Sequence, residues 1–290
     1  MAPEWLTSWA GTAWDGLALA VPLGLTLGYL LLFELLLPRR DAPQPSLRSR
    51  AKALMFWVVY GVTSALLMRA ILPAYAALHI HPLLPSLEPA GLPRPLALIV
   101  ACIAGGLIGD FVYYWCHRFQ HRFLWRFHAV HHSVREMSVL TAYHHFTEPL
   151  MKTVLYLTPV TLITPDPFSA STIGVLLALQ GHYLHSSTRV NFGPLGAFIQ
   201  DNRFHRIHHS IRPEHHDKNF AVFTTLWDRV FGTAYFPAPG EWPETGVADF
   251  PEPSNLKEYF LAPFTWRAGA ASKAPALVAA AEGSRCVGFH

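Results

Sequence analysis

Long apolar runs separated by short polar stretches dominate the first two thirds of the chain. Residues 17–37, 53–78 and 96–116 each reach the roughly 20 residues that a helix needs to cross a bilayer. Between residues 149 and 185, two shorter apolar stretches flank Thr-Pro-Asp-Pro at 164–167, which fits a re-entrant or tilted hairpin. The pattern predicts an all-α membrane bundle of about four transmembrane helices, with the hairpin as the last part.

Basic residues predict the orientation of this bundle. The loop 38–52 contains five of them, whereas the loop 79–95 contains only Arg94. Because loops rich in Lys and Arg stay on the cytoplasmic side, loop 38–52 is expected to face the cytoplasm. Counting crossings from there places His117 and His185 on that same side, in a cytoplasmic histidine-rich helical cap. The protein is therefore expected to be a multi-pass protein of a membrane, and we expect this to be the inner membrane of a bacterium.

The composition agrees with a membrane protein. Hydrophobic residues make up 51% of the chain and charged residues 14%, whereas soluble domains carry about 25% charged residues. A formal net charge of +3, spread along the chain, argues against nucleic-acid binding. The three cysteines form no Cys-x-x-Cys pair, so no disulfide framework is expected. The first apolar run lacks a basic flank and a cleavage site, and we expect it to be retained as an anchor.

Histidine is the outlier, because 14 of the 17 histidines fall within residues 117–145 and 182–216. Their spacings read HxxxH, HxxHH, HxxH and HxxHH, and residues three or four apart share one face of a helix. Neutral imidazole binds iron, zinc, copper and nickel, and ten rings exceed the needs of one tetrahedral site, so two ions are favoured. The predicted ligands are His117, His121, His128, His131, His132, His182, His185, His205, His208 and His209.

Three further residues are predicted to support this site. Asp110 precedes His117 by two helical turns, and we expect it to accept a hydrogen bond from a ligand imidazole; the alternative is an ion pair with Arg118. Tyr114 lies between them and is expected to line the slot for the substrate. Asn219 is expected to act like Asp110 near the last cluster. Four histidines are left open as ligands or as lining of the entrance: His144, His145, His215 and His216.

Two alternative functions use the same histidines. A metal transporter or sensor would need polar residues along its membrane helices, and Glu34, Arg69 and Asp110 are the clear ones, all towards helix ends. Glu34 is expected to reach the membrane interface or to pair with the arginines of Pro38-Arg39-Arg40. A zinc hydrolase would need a glutamate base beside its ligands, as in His-Glu-x-x-His, and the sequence has no such motif.

The histidine motifs and their neighbours resemble the fatty acid hydroxylase/sterol desaturase superfamily of membrane di-iron enzymes. The resemblance covers about residues 100–236 and is carried by three stretches: Asp110-Phe-Val-Tyr-Tyr-Trp-Cys-His-Arg-Phe-Gln-His121, Phe127-His-Ala-Val-His-His-Ser133, and His205-Arg-Ile-His-His-Ser210 with Lys218-Asn-Phe220 and Trp227-Asp-Arg-Val-Phe-Gly-Thr233. The chain departs from the family where it reads His144-His145-Phe-Thr-Glu148-Pro149 in place of a His-Pro, and Asn219-Phe220-Ala221 in place of Asn-Tyr-Gly.

This resemblance implies two iron ions and an oxygen-dependent oxidation of a lipid C–H bond, by hydroxylation or desaturation. It implies the ligand role for every predicted histidine except His182, whose spacing from His185 is shorter than HxxxH. The sequence has no flavin, dinucleotide, heme or cysteine-cluster motif, so a separate reductase or ferredoxin-like electron donor is expected. Sterol, fatty acyl, carotenoid and polar-headgroup lipids remain open as substrates. Three regions are expected: membrane helices in 1–95, a catalytic domain in 96–236, and a C-terminal cap and tail in 237–290.

Overall fold

The computed structural model describes residue 24 and residues 27–77, 83–84, 91–163 and 179–266. This part of the chain is helical, and its only β-type pairings are isolated bridges such as Pro38 with Thr188. The predicted all-α class is confirmed for these residues. Residues 17–23 and 25–26 of the first predicted run, and the Thr-Pro-Asp-Pro tip of the hairpin, lie outside them.

Three apolar helices come first. Helix α1 spans Leu27–Leu36, α2 spans Leu47–Ala77 and α3 spans Arg94–Phe123. By length and composition, α2 and α3 could each cross a membrane. Helix α3 continues past the predicted end at residue 116, and the HxxxH motif therefore occupies its last turns. The four predicted spans are thus represented by two long candidates among the described residues.

The outer faces of α2 and α3 are apolar and exposed. Val62, Leu66, Ile99 and Ile103 are each more than half exposed, at 54%, 65%, 56% and 59%. Soluble proteins rarely leave a continuous apolar patch of this kind in water. The exposed side chains therefore support association of the helices with a membrane.

The predicted hairpin begins with a continuous helical arm. Helix α5 spans Glu148–Lys152, a π-helical segment spans Thr153–Leu157 and α6 spans Thr158–Ile163. At its end, the carbonyl oxygen of Leu162 accepts a hydrogen bond from the backbone N–H of Leu83, between α2 and α3. The arm thus runs for about 24 Å from the histidine end of the bundle to the opposite end, which favours a tilted arm over a shallow re-entrant loop.

Short helices surround the end of α3 that carries the histidines. They are α4 (Trp125–His132), α7 (residues 179–184), α8 (Asn202–His208), α9 (Leu226–Val230) and α10 (Leu256–Thr265). Phe56 of α2 stacks on Tyr259 of α10 at 4.8 Å and meets Tyr143 edge-on at 5.1 Å. Helix α10, in the predicted C-terminal cap, therefore forms part of the main core; residues 267–290 of that cap lie outside the described part.

Glu34 ties α1 to three other segments. Its side chain is buried, and one carboxylate oxygen accepts hydrogen bonds from the backbone N–H groups of Val139 (3.0 Å) and Ser187 (3.1 Å). The other oxygen pairs with Arg50 of α2. The expected pairing with the arginines at 39 and 40 is therefore replaced by a pairing with Arg50, whose helix lies beside α1.

Candidate metal centre

The last turns of α3 present two histidines on one face. His117 and His121 lie four residues apart, and the helix ends at Phe123. Leu124 leaves the helical conformation, with φ −121° and ψ 20°, and α4 begins at the next residue. This break turns the chain so that α4 can face α3 across a short distance.

The HxxHH motif of α4 divides its histidines between two directions. His128 and His132, four residues apart, face α3: the Nε2 atoms of His117 and His128 lie 3.0 Å apart, and those of His121 and His132 lie 3.1 Å apart. His131 points away from this pair and packs beside His185, with 4.8 Å between ring centroids.

The second HxxHH motif, on α8, divides its histidines in the opposite sense. His208 approaches His117, with 3.1 Å between Nε2 atoms. His205 instead meets His185, also with 3.1 Å between Nε2 atoms. The side chain of Asp201 caps α8 by accepting hydrogen bonds from two backbone N–H groups at its start, which fixes the rotation of this helix.

Nine histidines consequently form two groups, and within each the potential ligand atoms lie within 4.8 Å of one another. We call them the five-histidine group (His117, His121, His128, His132 and His208) and the four-histidine group (His131, His185, His205 and His209). The groups adjoin, because the rings of His132 and His209 stack at 4.2 Å.

The Nε2 atoms of His117 and His208 face each other, and both can only accept a hydrogen bond. His117 donates its Nδ1 hydrogen to the carbonyl oxygen of Phe220, and His208 donates to that of Lys218, both at 2.7 Å. A neutral imidazole with its hydrogen on Nδ1 carries a lone pair on Nε2. Because two lone pairs cannot form a hydrogen bond, a cation between the two Nε2 atoms is the partner that satisfies both.

The spacing of the nitrogens fits a metal ion. A metal–nitrogen bond of about 2.1 Å places two ligand nitrogens at right angles about 3.0 Å apart, close to the Nε2–Nε2 separations in both groups. In the four-histidine group, His131 also donates Nδ1 to a carbonyl oxygen, that of Tyr143, at 2.9 Å. Both ring nitrogens of His209 are buried without a hydrogen-bond partner among the described residues, an arrangement that a metal ion would relieve. The all-imidazole donor set suits iron as well as zinc.

Burial keeps these rings neutral. It lowers the pKa of His131 to about 3 and that of His208 to about 4. Neutral imidazoles offer their lone pairs to a metal without first releasing a proton. The site is therefore prepared for metal at neutral pH.

The same pKa values predict that acid destabilises the metal-free protein. An unfolded histidine binds a proton below about pH 6.5, whereas folded His131 and His208 bind one only near pH 3 and 4. Stability should be full above pH 6.5 and fall below it, by about 1.4 kcal/mol per pH unit for each such histidine. Thermal denaturation of chelator-treated protein between neutral pH and pH 5 measures this loss; a constant melting temperature over that range would contradict buried neutral rings.

A loop between α8 and α9 supplies two of the carbonyl acceptors. Asp217 and Asn219 adopt left-handed backbone conformations, with φ 56° and 61°, which Asn and Asp tolerate better than most residues. The Asn219 side chain donates to the carbonyl oxygens of Phe204 and Tyr235 and accepts from the backbone N–H of Tyr235. Asn219 thus fixes the backbone between the carbonyl groups of residues 218 and 220, and these hydrogen bonds to the backbone take the place of the predicted one from a ligand imidazole.

Two buried aspartates hold the next part of this loop. Asp110 accepts four hydrogen bonds of 2.8–2.9 Å from Val222, Phe223 and Thr224. These bonds take the place of the predicted one from a ligand imidazole, and of the alternative pairing with Arg118. Asp228, to which the sequence motif assigned no role, accepts from the backbone N–H groups of residues 220 and 221. Both aspartates act on the site indirectly, through the carbonyl group of residue 220.

The structure places two other predicted site residues beside the groups. Tyr114 is fully buried, and its hydroxyl lies 3.1 Å from Thr233 Oγ1 and accepts from Arg118. His182 donates Nδ1 to the carbonyl oxygen of Val139 at 2.7 Å and belongs to neither histidine group. The ligand role of His182 and the catalytic role of Tyr114 stay predictions.

The four histidines left open take different positions. His144 stacks on His131 with 3.9 Å between centroids. His145 meets Thr147 and the carbonyl oxygen of Phe260. His215 lies 3.3 Å from Glu241, and His216 lines a cavity that His121 also lines. Of these four, only His144 reaches the histidine groups.

A cavity of about 380 Å³ opens onto the five-histidine group, and we call it the polar cavity because histidine and aspartate side chains line it beside apolar residues such as Trp125 and Val247. His121, His132 and His208 line it together with Asp217 and Asp249, and Asp217 Oδ1 lies 3.7 Å from His121 Nδ1. Water and small solutes can therefore reach these rings from the end of the bundle that carries the short helices.

The histidine-rich part of the chain is similar to known proteins. Residues 102–233 match the family model described as fatty acid hydroxylase. The chain is 34% identical over 126 residues to alkylglycerol monooxygenase of Danio rerio, and 31% identical over 126 residues to the protein of that name from Homo sapiens. Each alignment covers 43% of this chain and 28% of the relative, so most of each relative lies outside the match. No solved structure matches the chain.

Proposed function

On the premise that the chain contains a fatty acid hydroxylase domain at residues 102–233, as the histidine motifs indicated, we propose that the protein is a membrane-bound di-iron oxygenase of a lipid. It would use dioxygen, two electrons and two protons to convert a C–H bond into an alcohol with release of water. Hydroxylation is preferred over desaturation because the relatives carry the name monooxygenase.

The convergence of Nε2 lone pairs carries this proposal. Each histidine group would hold one ion with buried, neutral imidazoles, and the two groups adjoin because the rings of His132 and His209 stack. Bound iron would supply the reduction of dioxygen and the attack on an unactivated C–H bond, chemistry that side chains alone lack.

The residues of the chain hold and shield this chemistry. Carbonyl oxygens of Phe220, Lys218 and Tyr143 fix the Nδ1 hydrogens of three rings, so their Nε2 lone pairs would remain available to hold the metal ions. Aromatic rings cover the bundle side, including Tyr113, whose ring lies 5.4 Å from that of His117. They would keep water away from a lipid carbon that reacts there.

A lateral cavity supports access of a lipid. It measures about 640 Å³ and lies between α1 and α2, with Leu31, Leu54 and Leu140 among its lining residues. Leu140 follows Val139, whose carbonyl oxygen holds His182. An acyl or alkyl chain lying in this groove would approach the metal centre from the side of the bundle.

The electrons would come from a separate donor, a reductase or a ferredoxin-like protein. The polar cavity beside His121 and His208 offers the nearest solvent approach to the site for such a donor or for a small reductant. The location on the cytoplasmic side of a bacterial inner membrane also remains part of the proposal.

The test uses the purified full chain in lipid nanodiscs, loaded anaerobically with ferrous iron. We expect about two irons per chain and, after addition of a chemical reductant and ¹⁸O-labelled dioxygen, one labelled oxygen in a membrane lipid. A chain that binds no iron, or that binds two irons and leaves every supplied lipid unlabelled, would refute the proposal.

A further inference from the structure

A second polar cluster adjoins the five-histidine group. A ring nitrogen of His128, a ring nitrogen of His144 and a carboxylate oxygen of Glu148 lie within 4.8 Å of one another. Glu148 is 2% exposed and His144 is 9% exposed. A buried carboxylate at this position requires an explanation, because removing a charge from water is costly.

The polar atoms of this cluster are only partly satisfied. Glu148 Oε1 accepts a hydrogen bond from Gln120 at 2.7 Å and lies 3.7 Å from Lys152 Nζ. No hydrogen bond joins Glu148 Oε2 or a ring nitrogen of His144 to the described residues, and these atoms are not among the fully buried atoms that lack a partner, so they keep some access to open space. In the same cluster, Nδ1 of His128 is buried without a partner among the described residues. The His144 ring is nonetheless held in place, since it stacks on His131 with only 7° between the planes. The cluster therefore presents fixed polar atoms that still need a partner.

The charge of the cluster selects the kind of partner. The carboxylate of Glu148 and the ammonium of Lys152 cancel, and burial disfavours the charged form of His144. A phosphate or carboxylate bound at this position would lie against the carboxylate of Glu148, and the two like charges would repel each other. A hydroxyl group is neutral, and it can donate its one hydrogen to Glu148 while its oxygen accepts a hydrogen bond from a ring N–H of His144. One hydroxyl oxygen can reach two atoms that are up to about 5.6 Å apart with bonds of about 2.8 Å.

The position of the cluster indicates that this hydroxyl belongs to a lipid. Tyr60 of α2 lies over His144, with 6.1 Å between ring centroids, so the cluster faces the apolar helices. The polar cavity is lined instead by His121, His132 and His208. The π-helical segment Thr153–Leu157 follows Lys152 directly, and such segments often occur at functional sites.

We propose that His144 and Glu148 bind a hydroxyl group in the uncharged polar head of the lipid substrate, so that the oxidised carbon lies within a few bonds of that hydroxyl. The inference rests on the proposed function and narrows its substrate class. It favours neutral, hydroxyl-bearing lipids over hydrocarbons such as carotenoids and over the middle of a fatty acyl chain.

The test measures binding without turnover. Zinc, which has no redox chemistry, replaces iron in the full chain in nanodiscs, and equilibrium binding is compared for 1-O-hexadecylglycerol and its di-O-methyl ether. The wild type should bind the free diol about tenfold or more tightly, as expected for a hydrogen bond to a charged group. His144→Phe, which keeps the stacking, and Glu148→Gln should each reduce that preference at least threefold while two zinc ions remain bound.

His145→Phe is the matched control, because His145 already has partners in Thr147 and Phe260 and should keep the preference. Equal binding of the two lipids by the wild type would overturn the inference, as would an unchanged preference in both His144→Phe and Glu148→Gln. Either result would leave the oxygenase proposal intact, because that proposal is tested by iron content and oxygen labelling. If either His144→Phe or Glu148→Gln loses zinc, the lipid preference of the other variant decides the test.

Discussion

His131→Ala is expected to bind about one metal ion per chain in place of about two and to lose lipid oxidation by more than about 100-fold. The substitution leaves three histidines in the four-histidine group and does not change the five-histidine group. His132→Ala, one residue further along α4, leaves four histidines in the five-histidine group and should weaken the binding of the other ion. Metal analysis combined with the oxygen-labelling assay measures both effects.

His131 and His132 are adjacent on one short helix and belong to different groups. The two substitutions should therefore affect different metal ions. His216→Ala provides the control, since His216 is exposed and belongs to neither group, and it should retain both ions. Both ions retained in His131→Ala would count against the assignment of the four-histidine group. Loss of both ions in His131→Ala and in His132→Ala alike would show that the groups do not bind independently.

Glu34→Gln is expected to destabilise the protein by about 3–5 kcal/mol, the usual cost of removing one partner from a buried ion pair. Arg50 would remain buried, with its side chain 11% exposed and no opposing charge from residue 34. Because Glu34 also holds the backbone of Val139 and Ser187, we expect weaker metal binding by the four-histidine group, which contains His185. Thermal denaturation and zinc titration measure the two effects separately.

Asp41→Asn is the control for this substitution. Asp41 pairs with Arg39 at 2.7 Å, but its side chain is 63% exposed, and such surface pairs contribute about 0–1 kcal/mol. A Glu34→Gln protein that melts like Asp41→Asn and binds zinc as the wild type does would show that α1 plays no part in the metal centre. Weaker zinc binding by Glu34→Gln would show that α1, which precedes residues 102–233, helps to hold the metal centre.

Several features of the site could be predicted because they depend on local spacing. HxxxH and HxxHH place imidazoles on one helix face wherever the helix lies, and nine of the ten predicted ligands come together in the structure. The tenth, His182, lies on α7 one turn before His185, and its Nδ1 donates a hydrogen bond to the carbonyl oxygen of Val139. The long apolar runs likewise indicated α2 and α3, although α3 extends further than its apolar stretch.

Other features depend on contacts between distant parts of the chain. Asp110 is bonded to residues 222–224, about 110 positions away, and the sequence around it gives no sign of that contact. The acceptors for Nδ1 of His117, His131 and His208 are backbone carbonyl groups, which every residue possesses, so no residue type can mark them. Glu148 appeared in the sequence only as a departure from a familiar pattern.

The sequence by itself determined the membrane-like helices, the kind of ligand and the number of imidazoles, because hydrophobic periodicity and short-range spacing act within a single helix. Only the tertiary structure decided which histidine joins which group and which carbonyl group orients it. In the HxxHH motif of α4, the first and last histidines join the five-histidine group, whereas the first and last histidines of the motif on α8 join the four-histidine group. The break at Leu124 and the packing of α8 against α4 produce this difference. That division depends on the relative rotation of helices far apart in the chain, and local spacing carries no information about it.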